Sequence, residues 1–433
     1  TQGYSSAASD VYKRQVLTVQ DCHNLMNSLV KQATGQQSIT VIDSSTFVSA
    51  GETVLATGTE NVINSLSLII GRTLVAVRPY KAKFLLINAL NSGIYSNRIR
   101  KISYYSKDAQ ASGMYNTQLY TNLKDGYTNG QNIIADNPTS TKSMWEQNQP
   151  VSLEMNFAGS DTWDDSLTIY EKQLQVAFES EANFSRFMSG IMTEKGNDIE
   201  SQKEAFNRMC VLNEIGMIYD MADDRPLSSV NLTKEYNTKY GTSYTSAELR
   251  TTYLESFLKF FVAYVKNVSN YLEERSANYH LSPTKTVNGT DYKLLRHTPK
   301  NRQKMFLYEP LFIEAKANVL PSIFNPEYLD IKNYEAVNYW QSIDSRASIK
   351  ITPAIFDKTT GEQKKGNEVD LDYVVGLLFD EDAMMIDYQF EGSYSTPLEA
   401  RKLYRNIFWH YTKNAINDPT ENAILFYMKD GEV

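Results

Sequence analysis

Cysteine and histidine are scarce in this chain of 433 residues, which has two of the first and four of the second. Cys22 and Cys210 stand far apart with no C-x-x-C spacing. That excludes a disulfide scaffold and a cysteine zinc site, and two reduced thiols are expected. The histidines, His23, His280, His297 and His410, form no H-E-x-x-H motif, and no pair has metal-ligand spacing. Long apolar runs are missing too. The longest, Phe257 to Val265, is interrupted by Lys259 and falls short of the roughly 20 residues that span a bilayer, so no membrane association is expected. The start of the chain lacks the basic segment, apolar core and small-residue cleavage site of a secretory signal. No G-x-x-x-x-G-K-[ST], G-x-G-x-x-G or G-x-S-x-G occurs, which removes the usual phosphate cradles and the nucleophile elbow. Clustered basic charge is absent as well. The 43 Lys and Arg are mixed among 51 Asp and Glu for a net charge of −8, so specific nucleic-acid binding is not expected.

What is present is a core and many aromatics. Hydrophobic residues make up 42% of the chain, enough for one large domain or two to three smaller ones. Twenty-nine tyrosines offer rigid contact area with a polar edge, which suits subunit interfaces. Asp380-Glu381-Asp382 is the tightest carboxylate cluster of the β-rich part. Alternate carboxylates on a strand point the same way, as a metal site or acid/base pair needs. The cluster follows an apolar strand and ends at Ala383, however, and reads as a solvated turn. Asp161, Asp164 and Asp165 around Trp163 read the same way. His410, flanked by aromatics, reads as a packed and hydrogen-bonded histidine. No catalytic, cofactor-binding or metal residue is therefore assigned, no cofactor is expected, and the chain is read as no enzyme.

Along the chain, Val19 to Val30 is a short helix candidate, and the Ser/Thr/Gly-rich stretch after it, to residue 60, reads as an extended arm. Ile69 to Phe84 reads as a helix ending at Gly71 and then a strand. Between Asn97 and Ser166, polar turn residues separate short aromatic strands such as Ile102 to Tyr105. So long a stretch is better explained by a two-stranded hairpin with its tip near Asp125 to Asn137 than by a plain loop. Ile169, Leu174, Ala177 and Phe178 fit a short amphipathic helix. A long helix is predicted from Phe184 to Tyr219, with Ala205, Met209, Leu212, Gly216 and Tyr219 as its apolar stripe and acids and amides opposite. About 35 residues give roughly 50 Å of helix. A polar connection, Asp223 to Tyr244, leads to a capping box at Thr245 to Glu248. The apolar stripe behind it runs from Leu249 to Tyr271, in a helix reaching about Asn278. Strands are predicted at Met305 to Leu307, Ala347 to Thr352, Val374 to Phe379 and Ala423 to Met428, with a turn at Asp357 to Gly361. Long helices interleaved with strands argue for an α+β fold.

Several phrases, in order, carry a resemblance. They are I-I-G-R-T-L-V-A-V-R-P-Y-K-A-K-F (Ile69 to Phe84), F-S-R-F-M-S-G-I-M-T (Phe184 to Thr193), Y-L-E-E-R-S-A-N-Y-H (Tyr271 to His280) and H-T-P-K-N-R-Q-K-M-F-L-Y (His297 to Tyr308). V-N-Y-W-Q-S-I (Val337 to Ile343), V-V-G-L-L-F-D-E-D-A (Val374 to Ala383) and the closing Asn406 to Met428 follow. Together they resemble the major capsid proteins of tailed double-stranded DNA bacteriophages with the Hong Kong 97-like fold, in a branch found among phages of gut bacteria. The resemblance implies an N-terminal arm at 16–68, the start of the P-domain at 69–96 and an E-loop hairpin at 97–166. It further implies the P-domain at 167–300 with a spine helix at 184–220, the A-domain at 301–385, and a return to the P-domain at 386–433. Residues 1–15 resemble a translated sequencing-library adaptor and are expected to be an artefact in place of the authentic start. The implied function is self-assembly, as hexamers and pentamers, into the icosahedral head of the virion, built in the bacterial host cytoplasm. The implied partners are a scaffolding protein, a portal and decoration proteins, with the DNA enclosed but not specifically bound. The alternative is a carbohydrate-binding protein of the bacterial envelope, since exposed aromatics stack on sugars.

Overall fold

A computed structural model describes residues 19–35, 40–57, 82–92, 98–106, 150–159, 161–287, 290–318, 333–357 and 361–431. The chain is α+β, as expected, and divides into two compact units. The first comprises Thr1–Asn97, Gly159–Cys210 and Met385–Ile416, and the second Arg98–Ala158, Val211–Met384 and Asn417–Val433.

In the first unit, helix Val19–Thr34 buries Cys22, Met26, Leu29 and Val30, one face at helical spacing. The stretch after it is not extended throughout. Ser44–Ala56 is a helix whose N-cap, Asp43, accepts from the Thr46 backbone N–H at 2.8 Å, while Thr46 Oγ1 accepts from the Asp43 N–H. Phe47, Ala50, Gly51 and Val54 form its buried face. The β-like Ser/Thr composition hid this 3-1-3 pattern. Phe47 and Phe178 each lie 5.6 Å from the Phe184 ring, at the centre of a core closed by Ile407 and Trp409. Those last two lie on strand Tyr404–Asn417, in a four-stranded sheet ordered Asn88–Leu90, Met384–Ser395, Tyr404–Asn417, Asp161–Tyr170. Tyr404 pairs with Tyr170, and the antiparallel ladder runs on to Lys413 and Asp161. Ile169 therefore lies on a strand, and the short helix after it covers Glu171–Ala177.

The long helix spans Glu181–Asp220, 40 residues or roughly 60 Å, and contributes residues to both units. Its predicted stripe fails in its first half only, since Gly216 is buried and Leu212 and Tyr219 are half-buried. Ala205 and Met209 are exposed, whereas Glu200, Glu204, Asn207 and Glu214 are buried. In the first unit these polar groups serve as partners for backbone. Glu200 Oε2 accepts from Ala82 N at 3.0 Å, Glu204 Oε2 from Lys83 N at 3.3 Å, and Asn207 Nδ2 donates to the Lys83 and Phe84 carbonyls at 3.2 Å. Segment 82–84 has no strand or helix to satisfy those groups, and Phe84 sits at φ 59°. The expected helix end and strand at 69–81 lie outside the described residues.

The second unit is built on a five-stranded sheet ordered Ser229–Asn231, Ala423–Met428, Tyr373–Asp380, Gln303–Tyr308, Asn333–Val337. The strands predicted at 305–307, 374–379 and 423–428 are its three middle members, and Ala347 to Thr352 contains strand Ile349–Ile351. Ala423–Met428 is buried at every residue, which explains its unbroken apolar run. Gly376 is required here: a Cβ would stand 2.8 Å from the Phe306 carbonyl, at a register shift against Ala423–Met428. The polar connection holds a helix, Leu232–Tyr240, capped by Asn231 and closed by Gly241 at φ 64°. The capping box forms as expected, but its helix stops at Arg250, and a second runs Leu254–Tyr271. At that break Tyr253 stacks on Tyr244 at 4.0 Å, and the Arg250 guanidinium lies 4.1 Å from the Tyr373 ring centre. Strands Arg98–Tyr104 and Ser152–Ala158 pair antiparallel over seven residues, within the stretch expected to form a hairpin, whereas the end of that stretch, from Asp161, is a strand of the first unit's sheet. The hairpin's tip lies outside the described residues. At the expected 357–361 turn, Gly361 N donates to Asp357 O at 2.7 Å.

Candidate functional site: a buried polar hub

A dense constellation of buried charge in the second unit surrounds Asn417-Asp418-Pro419-Thr420-Glu421-Asn422, at the turn between the last two strands. This turn is polar by sequence, yet Asp418, Thr420, Glu421 and Asn422 are all buried. Asp418 Oδ1 accepts from Thr420 N at 2.9 Å and Thr420 Oγ1 at 2.7 Å, which closes the turn locally. Its other oxygen accepts from Lys101 Nζ, which also donates to Glu421 Oε1 at 2.5 Å. Arg296 stands 3.3 Å from that Glu421 oxygen and donates to Ser103 Oγ at 2.7 Å and to the Thr420 carbonyl at 3.1 Å. Lys101 and Ser103 belong to the hairpin strand Arg98–Tyr104, so the hub fastens the hairpin base to the final turn.

Beneath lies Arg225, without solvent exposure. Its Nη2 donates to the Glu421 and Ala423 carbonyls at 3.4 Å, and its Nη1 is 3.7 Å from Glu214 Oε1. Glu214 Oε2 accepts from Asn417 Nδ2 at 3.1 Å. His280, equally buried, has Nδ1 3.0 Å from Asn422 Oδ1 and Nε2 3.0 Å from the Leu294 carbonyl oxygen.

Burial and charge compete here. Burial pushes the Glu214 carboxyl up to about 7 against the pull of Arg225. It also pushes His280 down to about 4, helped by the nearby charges of Arg225 and Arg296. Glu421 is raised, by burial foremost. For Lys101, burial is the largest single influence and favours the neutral amine, but the attractions of Asp418 and Glu421 together outweigh it and raise its pKa. Lys101 is held as an ammonium, the reverse of what a nucleophilic lysine needs. The hub is therefore suited to fixing one path of the chain.

The residues singled out by sequence stand apart from one another. Asp380 is buried and Arg302 Nη2 donates to it at 3.0 Å; Arg302 also pairs with Asp382, and Lys304 with Glu381 at 3.2 Å. The turn is ion-paired rather than merely solvated, because Arg302, just before the neighbouring strand Gln303–Tyr308, and Lys304 on it flank the turn. Asp165 pairs with Lys195 at 2.9 Å, and Trp163 is exposed. His410 is half-buried between Tyr394 and Phe408, and its ring nitrogens have no hydrogen-bond partner among the described residues, contrary to expectation. His23 lies 2.5 Å from Glu181 Oε1, and His297 is exposed. Both cysteines are buried and free of disulfides. Among the described residues no group of three or more His, Cys, Asp and Glu is placed to hold a metal ion, and no helix is long and apolar enough to cross a membrane. Glu214, Arg225 and Lys101 escaped the sequence reading. Its one usable signal was a run of polar residues wedged between two apolar strands.

A family model for the Phi29-like phage major capsid protein matches residues 126–427, which include the whole hub turn. No curated protein matches the chain. Among solved structures, the chain is similar to the capsid of Staphylococcus phage Andhra, at 10% identity and TM-score 0.48 over 82% of this chain and 86% of that one. It is also similar to the capsid of Cyanophage P-SCSP1u, at 10% identity and TM-score 0.41 over 82% and 91%.

Proposed function

Since the chain belongs to the Phi29-like phage major capsid protein family, we propose that its copies form hexamers and pentamers that tile the head of the virion. The observation that carries this reading is the family match, which runs through both units. The function is structural: the chain is the major capsid protein of a phage head. Assembly in the host cytoplasm, guidance by a scaffolding protein, and contacts with a portal and decoration proteins complete the proposal. We assign no catalytic role and no specific hold on the enclosed DNA. The seven-pair hairpin base is taken as the stem of the E-loop, and the 40-residue helix as the spine of the P-domain. The hub supports a structural role, since four charged side chains, Lys101, Arg296, Asp418 and Glu421, fasten that stem to the turn before the last strand.

Negative-stain electron microscopy tests this. The full chain is expressed in a bacterial cytoplasm, alone and with the candidate scaffold encoded beside its gene. Closed shells, tubes or hexamer sheets are expected under at least one condition. A monodisperse monomer under both would overturn the proposal.

A further inference from the structure

We propose that a groove in the first unit, bounded by strand Asp161–Tyr170, helix Glu171–Ala177 and the N-terminal half of the long helix, docks an acidic amphipathic helix of a partner protein. This goes beyond the shell reading and does not rest on it. The groove encloses 880 Å³. A helix with its side chains is about 10–12 Å across and rises about 5.4 Å per turn, so the space takes roughly two turns. Two turns present one apolar pair at i and i+4.

The walls suit such a pair. Leu167, Val176, Phe187 and Ile191 line them, and Val176 is 49% exposed with nothing over it among the described residues. Gly190 leaves a gap in the helix wall, where an added Cβ would meet no atom within 4 Å. The charges select acid. Lys172 and Arg186 also line the groove; both are exposed, and neither makes an ion pair among the described residues. The third cation, Lys195, is already held by Asp165 at 2.9 Å and Asp198 at 3.5 Å. A basic, apolar groove on a chain of net charge −8 is a local reversal of sign. It attracts acidic side chains flanking an apolar stripe, whereas a nucleic acid would leave the apolar walls uncovered.

The test uses the dispersed full chain and a fluorescein-labelled synthetic helical peptide with leucines at i and i+4 flanked by glutamates. Anisotropy is expected to saturate with a Kd of roughly 10–100 μM. Lys172→Glu with Arg186→Glu, and separately Gly190→Trp, should each weaken binding about tenfold or more while the circular dichroism spectrum and Tm stay unchanged. A peptide with lysine in place of glutamate should not bind. No saturation up to about 1 mM, or equal binding of the lysine peptide, overturns the proposal. So does a Gly190→Trp chain whose oligomer distribution changes without peptide, because the groove would then belong to a second copy.

Discussion

The hub contains two groups whose titrations pull stability in opposite directions, and separating them is a sharp test of its geometry. Glu214 has its pKa raised from 4.5 to about 7 in the fold. Its protonated form is favoured when folded, so its contribution is fully present below pH 4.5 and is lost as pH rises through about 7. His280 is lowered from 6.5 to about 4, so its neutral form is favoured when folded. Its contribution is fully present above pH 6.5 and is lost as pH falls through about 4. Each gap is worth about 3 kcal/mol at about 1.4 kcal/mol per pH unit. Over pH 4.5 to 6.5 the two slopes largely cancel, and the wild-type unfolding free energy should change little on their account. Glu214→Gln removes the falling slope, so the variant should gain about 2 kcal/mol in stability as pH rises over that window. His280→Gln removes the rising slope and should lose about as much over the same window. Urea unfolding of the dispersed chain, followed by tryptophan fluorescence at closely spaced pH values, reads both. Two variants whose pH profiles run parallel to wild type would refute the account, whatever their absolute stabilities.

Three further outcomes follow from the packing. Lys101→Met leaves Asp418, which has no side-chain exposure, and Glu421 without their common cation, and should cost about 3 kcal/mol in urea unfolding, whereas Lys259→Met on the exposed Glu255 pair should cost under about 1 kcal/mol. Phe184→Ala at the centre of the first unit's core should cost about 3–5 kcal/mol, against about 0.5 kcal/mol or less for Ser49→Ala on the exposed side of helix Ser44–Ala56, each read as a shift of the urea midpoint. Thr245→Ala removes the acceptor for Glu248 N and should lower stability by about 1 kcal/mol, with hydrogen exchange quickening at Glu248 before it does in helix Leu254–Tyr271.

What could be read in the sequence was what a single element determines by itself. The capping box at Thr245 to Glu248 is local chemistry and formed as written. The strand Ala423–Met428 was found because full burial leaves an unbroken apolar run. The long helix was found to within three residues at its start and one at its end, since nothing in that stretch breaks a helix. The failures needed knowledge of a partner. Ser44–Ala56 looked extended because it lies in a Ser/Thr/Gly-rich stretch with alternating apolar positions, and only its packing against Val19–Thr34 and Phe178 makes Phe47, Ala50 and Val54 a face. The candidate site was illegible for the same reason. Lys101 and Asp418 are more than three hundred positions apart, and no spacing rule reaches that far.

The misplaced first half of the stripe on the long helix and the overlooked hub share one cause. Both readings assumed that polar residues face water unless they do chemistry. Glu200, Glu204 and Asn207 instead satisfy the backbone of segment 82–84, and Asp418, Glu421 and Asn422 hold a turn between two strands. Segments of that kind have no ladder of their own, and burying their N–H and C=O groups unmatched would cost about 1–3 kcal/mol each. A side chain that matches them also fixes where the segment lies, because hydrogen bonds are directional and apolar contacts are not. For a major capsid protein the path of the chain is the product, since every copy must present the same surfaces to its neighbours. Removing Asp418 alone strands Lys101 and costs stability, whereas exchanging Asp418 and Lys101 together for apolar residues of similar volume is the change that leaves stability intact and still blurs the fold, a distinction that unfolding and assembly assays separate.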